Sequence, residues 1–308
     1  MATVLITGGT GMIGKRLAEM LAAKGFELII LSRKKTNIAL TQVSYAKWDI
    51  SSGEIDRHAI EKADYIIHLA GAGVADKRWS DKRKKEIVKS RTASSALLVN
   101  ALKTIPNKVK ALISISAIGW YGPDTAQSLK HGFTEEAPAD TAFLGETCRL
   151  WEESIAPVEQ LGIRLVKLRT GIVLSNTGGA LAEFQKPLKA AVAAVLGNGQ
   201  QIISWIHIDD LCAMFLYALE KDTMTGVYNA VAPFPVTNKK LTLALAEQLR
   251  GSSFITMAIP AFILKIILGE MSIEVLKSAN VNCSKVQKEQ FNFQYPSIGD
   301  ALKALLVS

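Results

Sequence analysis

Apolar runs and amphipathic segments alternate through the first two thirds of the 308-residue chain. Short apolar runs near residues 3–7, 26–31, 44–48, 64–70, 111–116 and 163–168 predict strands, and the segments between them predict helices. Such alternation implies a parallel sheet covered by helices on both faces. After the first run, Ile13, Leu17 and Leu21 fall on one helical stripe and Gly25 stands where a helix C-cap belongs. Further on, residues 175–179 predict a loop, followed by an Ala-rich helix to about Leu196 and a turn at 197–201. A second strand-to-helix passage then runs from Ile202 into a helix beginning near Leu211. Asp209 or Asp210 is placed to N-cap that helix, and His207, between apolar neighbours, reads as a satisfied structural side chain. The most apolar tract, residues 254–268, is broken by Pro260 and Lys265 and falls short of the roughly 20 residues that cross a bilayer. It predicts a buried helix, within a last hundred residues that read as a smaller mixed subdomain.

The junction of the first strand and helix carries the strongest chemical signal. Val4-Leu5-Ile6-Thr7 runs into Gly8-Gly9-Thr10-Gly11-Met12-Ile13-Gly14, which is strand, glycine turn, helix. Gly8 permits the tight turn, Gly11 lets the backbone approach a pyrophosphate, and Gly14 lets the helix pack close to the strand. The helix N-terminus offers free N–H donors to phosphate. At the end of the second strand an NAD site places an Asp or Glu on the ribose hydroxyls. This chain has Ser32-Arg33-Lys34-Lys35 there. A hydroxyl and a guanidinium fork can bind a 2′-phosphate that a carboxylate would repel, so the reading is NADP(H). A solvated basic turn is the alternative.

Composition narrows the classes. An apolar fraction of 49% is that of a chain with a full core. A strand predicted from residue 3 leaves no basic and apolar leader, so no secretory signal is expected, nor a membrane partner. Cys148, Cys212 and Cys283 are odd in number and widely spaced, which fits reduced thiols in a cytoplasm and no metal site. The net charge of +8 raises nucleic acid as a partner. Its densest source, residues 77–91, spreads its charges over several helical faces and is interrupted by Asp81 and Glu86. A solvated helix with one or two residues turned to an anionic cofactor is the better reading, and no nucleic-acid partner is expected.

The fourth strand ends in Leu69-Ala70-Gly71, small residues where a ligand would lie at the carboxyl end of a parallel strand, or where a tight turn is simply filled. The fifth carries Ser114 and Ser116 at alternate positions. Buried hydroxyls need partners, which a nicotinamide or substrate oxygen, or a backbone carbonyl, could supply.

These residues together resemble the extended short-chain dehydrogenase/reductase superfamily. Within it they resemble the atypical epimerase family protein branch, which has a short C-terminal domain of unknown function. The likeness runs through residues 7–14, Ser32-Arg33, 69–71, Trp79, Ser90-Arg91, 116–122, Trp151-Glu152, 169–174, 204–210, 228–233, 269–271 and 291–296. It implies an α/β fold: a doubly wound Rossmann sheet over residues 1–170, with 203–232 returning to it, and a substrate lobe from 171–202 and 233–308. It also implies NADP(H), held by Gly8, Thr10, Gly11, Met12, Ile13, Gly14, Ser32, Arg33, Leu69, Ala70, Gly71 and Ser114, with Glu86, Arg91 and Val173 beside it.

The departure from the superfamily is as informative. Its active members use a Tyr, and a Lys four residues later, on the helix after the fifth strand. Counting back from Trp151-Glu152, those slots hold Leu144 and Cys148. Ser116 matches the superfamily's serine and Tyr121 is the nearest phenol, so these two are the catalytic candidates. Glu146 shares the helix with the vacant slots, and Cys148 reads either as a nucleophile or as a small buried side chain. The expected function is an NADP(H)-dependent epimerase of nucleoside-diphosphate sugars, or an oxidoreductase acting on a small hydroxyl or carbonyl substrate. The alternative is a non-catalytic NADP(H)-binding redox sensor, with a monomer or a homodimer compatible with either.

Overall fold

The computed structural model describes residues 1–33 and 42–307. Eight strands form one sheet: β1 (Thr3–Thr7), β2 (Glu27–Ser32), β3 (Val43–Asp49), β4 (Glu54–Ile55), β5 (Tyr65–His68), β6 (Ala111–Ala117), β7 (Arg164–Thr170) and, from late in the chain, β13 (Gly226–Ala230). Their order is β13-β7-β6-β5-β1-β2-β3-β4, all parallel except the short β4. The central strands are Val, Ile and Leu on both faces, which is what a sheet buried on both sides demands. The helices α1 (Met12–Ala23), α2 (Arg57–Lys62), α3 (Asp81–Thr104), α4 (Ala126–His131) and α5 (Phe143–Ile155) follow in chain order. The strand order reverses between β2-β1 and β5, and the crevice there, at the carboxyl ends of the strands, is where such sheets bind ligands.

Smaller pieces extend from β7. They are β8 (Ile172–Ser175), β9 (Gly178–Gly179), β10 (Val192–Leu196), β11 (Ile202–Ile203), β12 (Trp205–His207), β14 (Val236–Thr237) and β15 (Ile255–Ile259), with α6 (Ala180–Leu188), α7 (Ile208–Glu220), α8 (Asn238–Arg250), α9 (Ala261–Leu268), α10 (Ser272–Leu276), α11 (Ser284–Lys288) and α12 (Ile298–Val307). Parallel pairing of β12 with β8 carries the chain back toward the sheet before α7 packs on α1. Among the described residues no helix is long and apolar enough to cross a membrane.

Three expectations are corrected here. The Ala-rich helix ends at Leu188, after Pro187, and residues 192–196 are strand β10, because β15 offers it a parallel partner. The second is the apolar tract 254–268, which is strand β15, then Pro260, then the two-turn helix α9, and most of its side chains are exposed. Finally, α7 begins at Ile208 with His207 as its N-cap, accepting the Asp209 amide on Nδ1 at 3.0 Å. Neither aspartate caps. Asp209 pairs with Arg16 on α1, and Asp210 accepts the amides of Gln294 and Tyr295. His207 is therefore structural on one nitrogen, while its buried Nε2 has no partner among the described residues.

Candidate active site

The turn between β1 and α1 is closed by Gly11 N–H donating to the Gly8 carbonyl. Gly8 has φ +69°, and a Cβ on it would sit 2.8 Å from the Leu69 carbonyl carbon. A Cβ on Gly14 would lie 2.4 Å from Gly8 O and 2.5 Å from Gly9 Cα, so that glycine is what lets helix meet strand. Gly11 differs. Its φ is −77° and the nearest atom to a Cβ would be 3.4 Å away, so the protein itself does not require glycine there. As N-cap it supplies no side-chain hydrogen bond, and the first turn carries no acid. The amides of Met12 and Ile13 start the helix beside the exposed Thr10 and Gly11, a ready cradle for an anion. Gly14→Ala should therefore lower stability by about 1–3 kcal/mol through overpacking. Gly11→Ala should leave thermal unfolding nearly unchanged and weaken dinucleotide binding roughly tenfold or more by crowding the cradle. Melting curves and calorimetric titration separate the two.

A buried latch holds the facing loop. Thr7 Oγ1 accepts the amides of Leu69 and Ala70 at 3.1 and 3.2 Å, so its own proton goes to His68 Nδ1, 2.8 Å away. The ring then carries its proton on Nε2, toward Ser95 Oγ at 3.2 Å. This threonine–histidine pair fixes Leu69-Ala70-Gly71 next to the glycine turn, a role that the sequence reading gave to neither residue. Burial holds the His68 pKa down to about 3. Because that value is depressed, the contribution is present above the unfolded pKa of 6.5 and is lost as pH falls toward 3. Over that window His68 alone should cost about 1.4 kcal/mol of stability per pH unit. His68→Asn should flatten that part of the profile, which urea unfolding at a series of pH values measures.

Arg91, on α3, reaches the same loop. Its Nη1 donates to the carbonyls of Ala72 and Ile87, both at 3.0 Å, and the guanidinium lies 4.8 Å from the centroid of the Trp151 ring. A Cβ on Gly71 would be 3.3 Å from its side chain. No carboxylate is paired with it among the described residues, and burial lowers its pKa, opposed by the nearby Cys148. A half-buried cation without a counter-ion among the described residues, near an anion cradle, suits a phosphate- or hydroxyl-bearing ligand. Glu86, in the second turn of α3, is exposed and paired with Arg83 at 2.8 Å. Val173 stands half-buried on β8. Ser32 ends β2 and the exposed Arg33 follows it, while Lys34 and Lys35 lie outside the described residues.

The two catalytic candidates are tied elsewhere. Ser116 Oγ donates to Glu152 Oε1 at 2.7 Å, and Arg169 grips the same carboxylate with Nε at 2.8 Å and Nη2 at 3.1 Å. Arg169 also donates to the Tyr121 hydroxyl at 3.2 Å and lies 3.6 Å from the Trp120 ring centroid. Burial pulls its pKa down, but the hydrogen bonds and charge of Glu152 outweigh this and leave it raised. Tyr121 in turn donates to Asn229 Oδ1 at 2.6 Å and stacks on Phe133. It is 1% exposed, and burial pushes its pKa up to about 12. The expectation of a phenol open to the cleft as an acid is therefore corrected: Tyr121 braces β6 against β13. Ser114 finds its partner in the Ile115 carbonyl at 3.1 Å. Glu146 is held outside by Arg149.

At the vacant slots, Leu144 and Cys148 pack against Gly119, where a Cβ would be 3.3 Å from Leu144 Cβ and 3.5 Å from Cys148 Sγ. The thiol is buried and its pKa is pushed up to about 12, so it is a small apolar side chain, not a nucleophile. The C-terminal segment closes in from the side: Glu270 pairs with Lys84 of α3, and Lys277 donates to the Tyr121 carbonyl at 3.1 Å while pairing with Glu274.

Comparisons with known proteins agree with this architecture. The NAD dependent epimerase/dehydratase family model matches residues 4–231, and a domain of unknown function, DUF1731, matches residues 259–305. An epimerase family protein of Staphylococcus aureus is 35% identical over 307 residues, covering 99% of both chains. A human epimerase family protein crystallised with NADPH superposes with a TM-score of 0.86 at 28% identity, covering 99% of each chain. A nucleoside-diphosphate sugar epimerase of Corynebacterium glutamicum has a TM-score of 0.78 at 30% identity, covering 99% of this chain and 58% of that one. With the glycine cradle at the switch point of its parallel sheet, this chain belongs to the NAD-dependent epimerase/dehydratase family of Rossmann-fold proteins, in the branch that carries the DUF1731 domain.

Proposed function

We propose that this chain binds NADP(H) at the carboxyl ends of β1, β5 and β6 and serves as an atypical oxidoreductase or epimerase on a small hydroxyl- or carbonyl-bearing substrate. The observation that carries the reading is the uncapped, acid-free start of α1 behind a glycine turn that abuts Leu69 and Ala70, with the half-buried Arg91, which has no carboxylate partner among the described residues, against Gly71. Gly8, Gly11, Met12 and Ile13 would hold the pyrophosphate, Arg33 the 2′-phosphate, and Leu69, Ala70 and Val173 the flanking rings. The bound nicotinamide supplies hydride exchange. The human relative was crystallised with NADPH, which supports the phosphorylated cofactor.

What this chain's own residues do is orient and exclude. Leu144 and Cys148 keep the slot beside Gly119 apolar, and Ser116 is held toward Glu152. Any proton exchanged with substrate therefore comes from the substrate's own groups, from water, or from the C-terminal lobe. Titration with NADPH and NADH, followed by absorbance at the reduced nicotinamide band over a panel of sugar nucleotides, aldehydes and ketones, tests the proposal. Tight NADPH binding with slow turnover of at least one carbonyl class is expected, and failure to bind NADPH would remove its basis. The locked positions of Ser116 and Tyr121 favour a second reading, a non-catalytic sensor of cofactor redox state. That reading predicts unequal affinity for NADP and NADPH with no turnover, since equal affinity shifts no conformational equilibrium.

A further inference from the structure

We infer that the outward face of β10, β15 and α9 is an interface between two copies of this chain. In the parallel register Val192 pairs with Ile255, Ala193 with Thr256, Ala194 with Met257, Val195 with Ala258 and Leu196 with Ile259. Partners share a face. Ala193 and Val195 of β10 are buried and Val192, Ala194 and Leu196 are half-buried, whereas Ile255, Thr256, Met257 and Ala258 of β15 are all exposed and Ile259 is half-buried, so β15 lies open. The usual arrangement is apolar inside and polar outside. Here Ile255 and Met257, two residues apart and so on one face of β15, are both exposed.

Two features extend the patch. The sheet has only two strands, so β15 has one edge without a ladder partner among the described residues, and residues 255–259 hold neither Pro nor charge to blunt it. Next to it in sequence, Phe262, Ile266 and Ile267 of α9 and Ile273 of α10 are exposed, as are Ile255 and Met257; all six lie between 46% and 69%. At about 100 Å² or more apiece, their exposed areas add to roughly 700 Å², against the ~800 Å² that each partner gives a standard interface.

The occupant these features fit is a second copy. An edge strand laid antiparallel on its own copy across a two-fold axis makes a self-complementary four-stranded sheet, satisfies both edges and buries the apolar face on both sides. A membrane surface fits less well, because α9 and β15 carry a single cation, Lys265, where anionic lipid recruits a cluster of four or more. The inference stands apart from the cofactor reading and does not depend on it.

Sedimentation equilibrium of the full chain from about 1 to 50 μM should give twice the protomer mass of 33.3 kDa. The double variant Met257→Lys/Ile266→Lys should raise the dimer dissociation constant at least ~100-fold with unchanged far-UV circular dichroism and a melting temperature that no longer rises with concentration, and Leu129→Lys, at an exposed position on α4, should leave dimerisation unchanged. Amide exchange in residues 255–259 should slow as concentration rises. A monomeric wild-type chain at 50 μM overturns the inference, as does a dimer that survives the double variant. Overturned too would be the case of a monomer that sediments with phosphatidylserine vesicles and loses them in the double variant, which would make this face a membrane contact.

Discussion

Glu152→Ala should lower the melting temperature by on the order of 10 °C, the largest stability loss expected from any single polar substitution in the cleft. Arg169 and Glu152 are 3% and 6% exposed, and the bidentate contact is joined by Ser116, Tyr121 and the Glu135 carbonyl. Removing the carboxylate leaves a guanidinium in the interior with only neutral acceptors, a deficit of about 3–5 kcal/mol. The Trp120 ring, 3.6 Å from the guanidinium, returns only part of it. The ion pair need not be a net gain over apolar packing, so the paired change Glu152→Leu/Arg169→Met should recover much of the loss. Differential scanning calorimetry on the two singles and the double closes the cycle. If the double variant is as unstable as the sum of the singles, the pair is not acting as a unit and the network described for it is wrong.

That network also explains what could be read from the sequence and what could not. The glycine turn was legible because two of its glycines answer a local demand of the fold, a positive φ against the 69–70 backbone at Gly8 and a helix meeting a strand at Gly14, while Gly11 answers only to a ligand. The six early strands were legible because a doubly buried parallel sheet writes itself as apolar runs. Residues 192–196 and 255–259 were not, because each becomes a strand only through the other, sixty residues away. Alanine content reads 192–196 as helix, and the continuous apolar run 254–268 masked the strand-favouring Ile255-Thr256 at its start. Capping by His207 in place of Asp209 was hidden for a similar reason: Asp209 and Asp210 are claimed by Arg16 and by the 294–295 backbone, partners that no local pattern reveals.

Ser116 and Tyr121 show the limit most clearly. Their sequence positions match a catalytic constellation, yet their hydroxyls are engaged by Glu152 and Asn229, residues 36 and 108 positions away. The latch of Thr7 and His68 is the converse. The only sequence signal was a polar residue at the carboxyl end of each of two otherwise apolar strands, and pairing β1 with β5 in parallel brings those two ends together.

Arg33→Asp should change the preference for NADPH over NADH by on the order of 100-fold while leaving the fold intact. Arg33 is exposed at the end of β2, at the position from which a ribose-binding carboxylate acts in an NAD site, and β2 is neighbour to β1, whose turn carries the cradle. A guanidinium there meets a 2′-phosphate with charge-assisted hydrogen bonds of about 1.5–3 kcal/mol, weakened by its exposure to salt and water. Aspartate replaces that attraction with repulsion of a dianion, so NADPH affinity falls by most of the 100-fold. NADH has no 2′-phosphate and gains an acceptor for its ribose hydroxyls, so its affinity should hold or rise a few-fold. Calorimetric titration of both cofactors against both proteins reads the ratio directly, and raising the salt should erode wild-type NADPH binding more than NADH binding. A ratio that does not move would detach the phosphate from the end of β2 and leave NAD(H) and NADP(H) equally compatible with the glycine cradle.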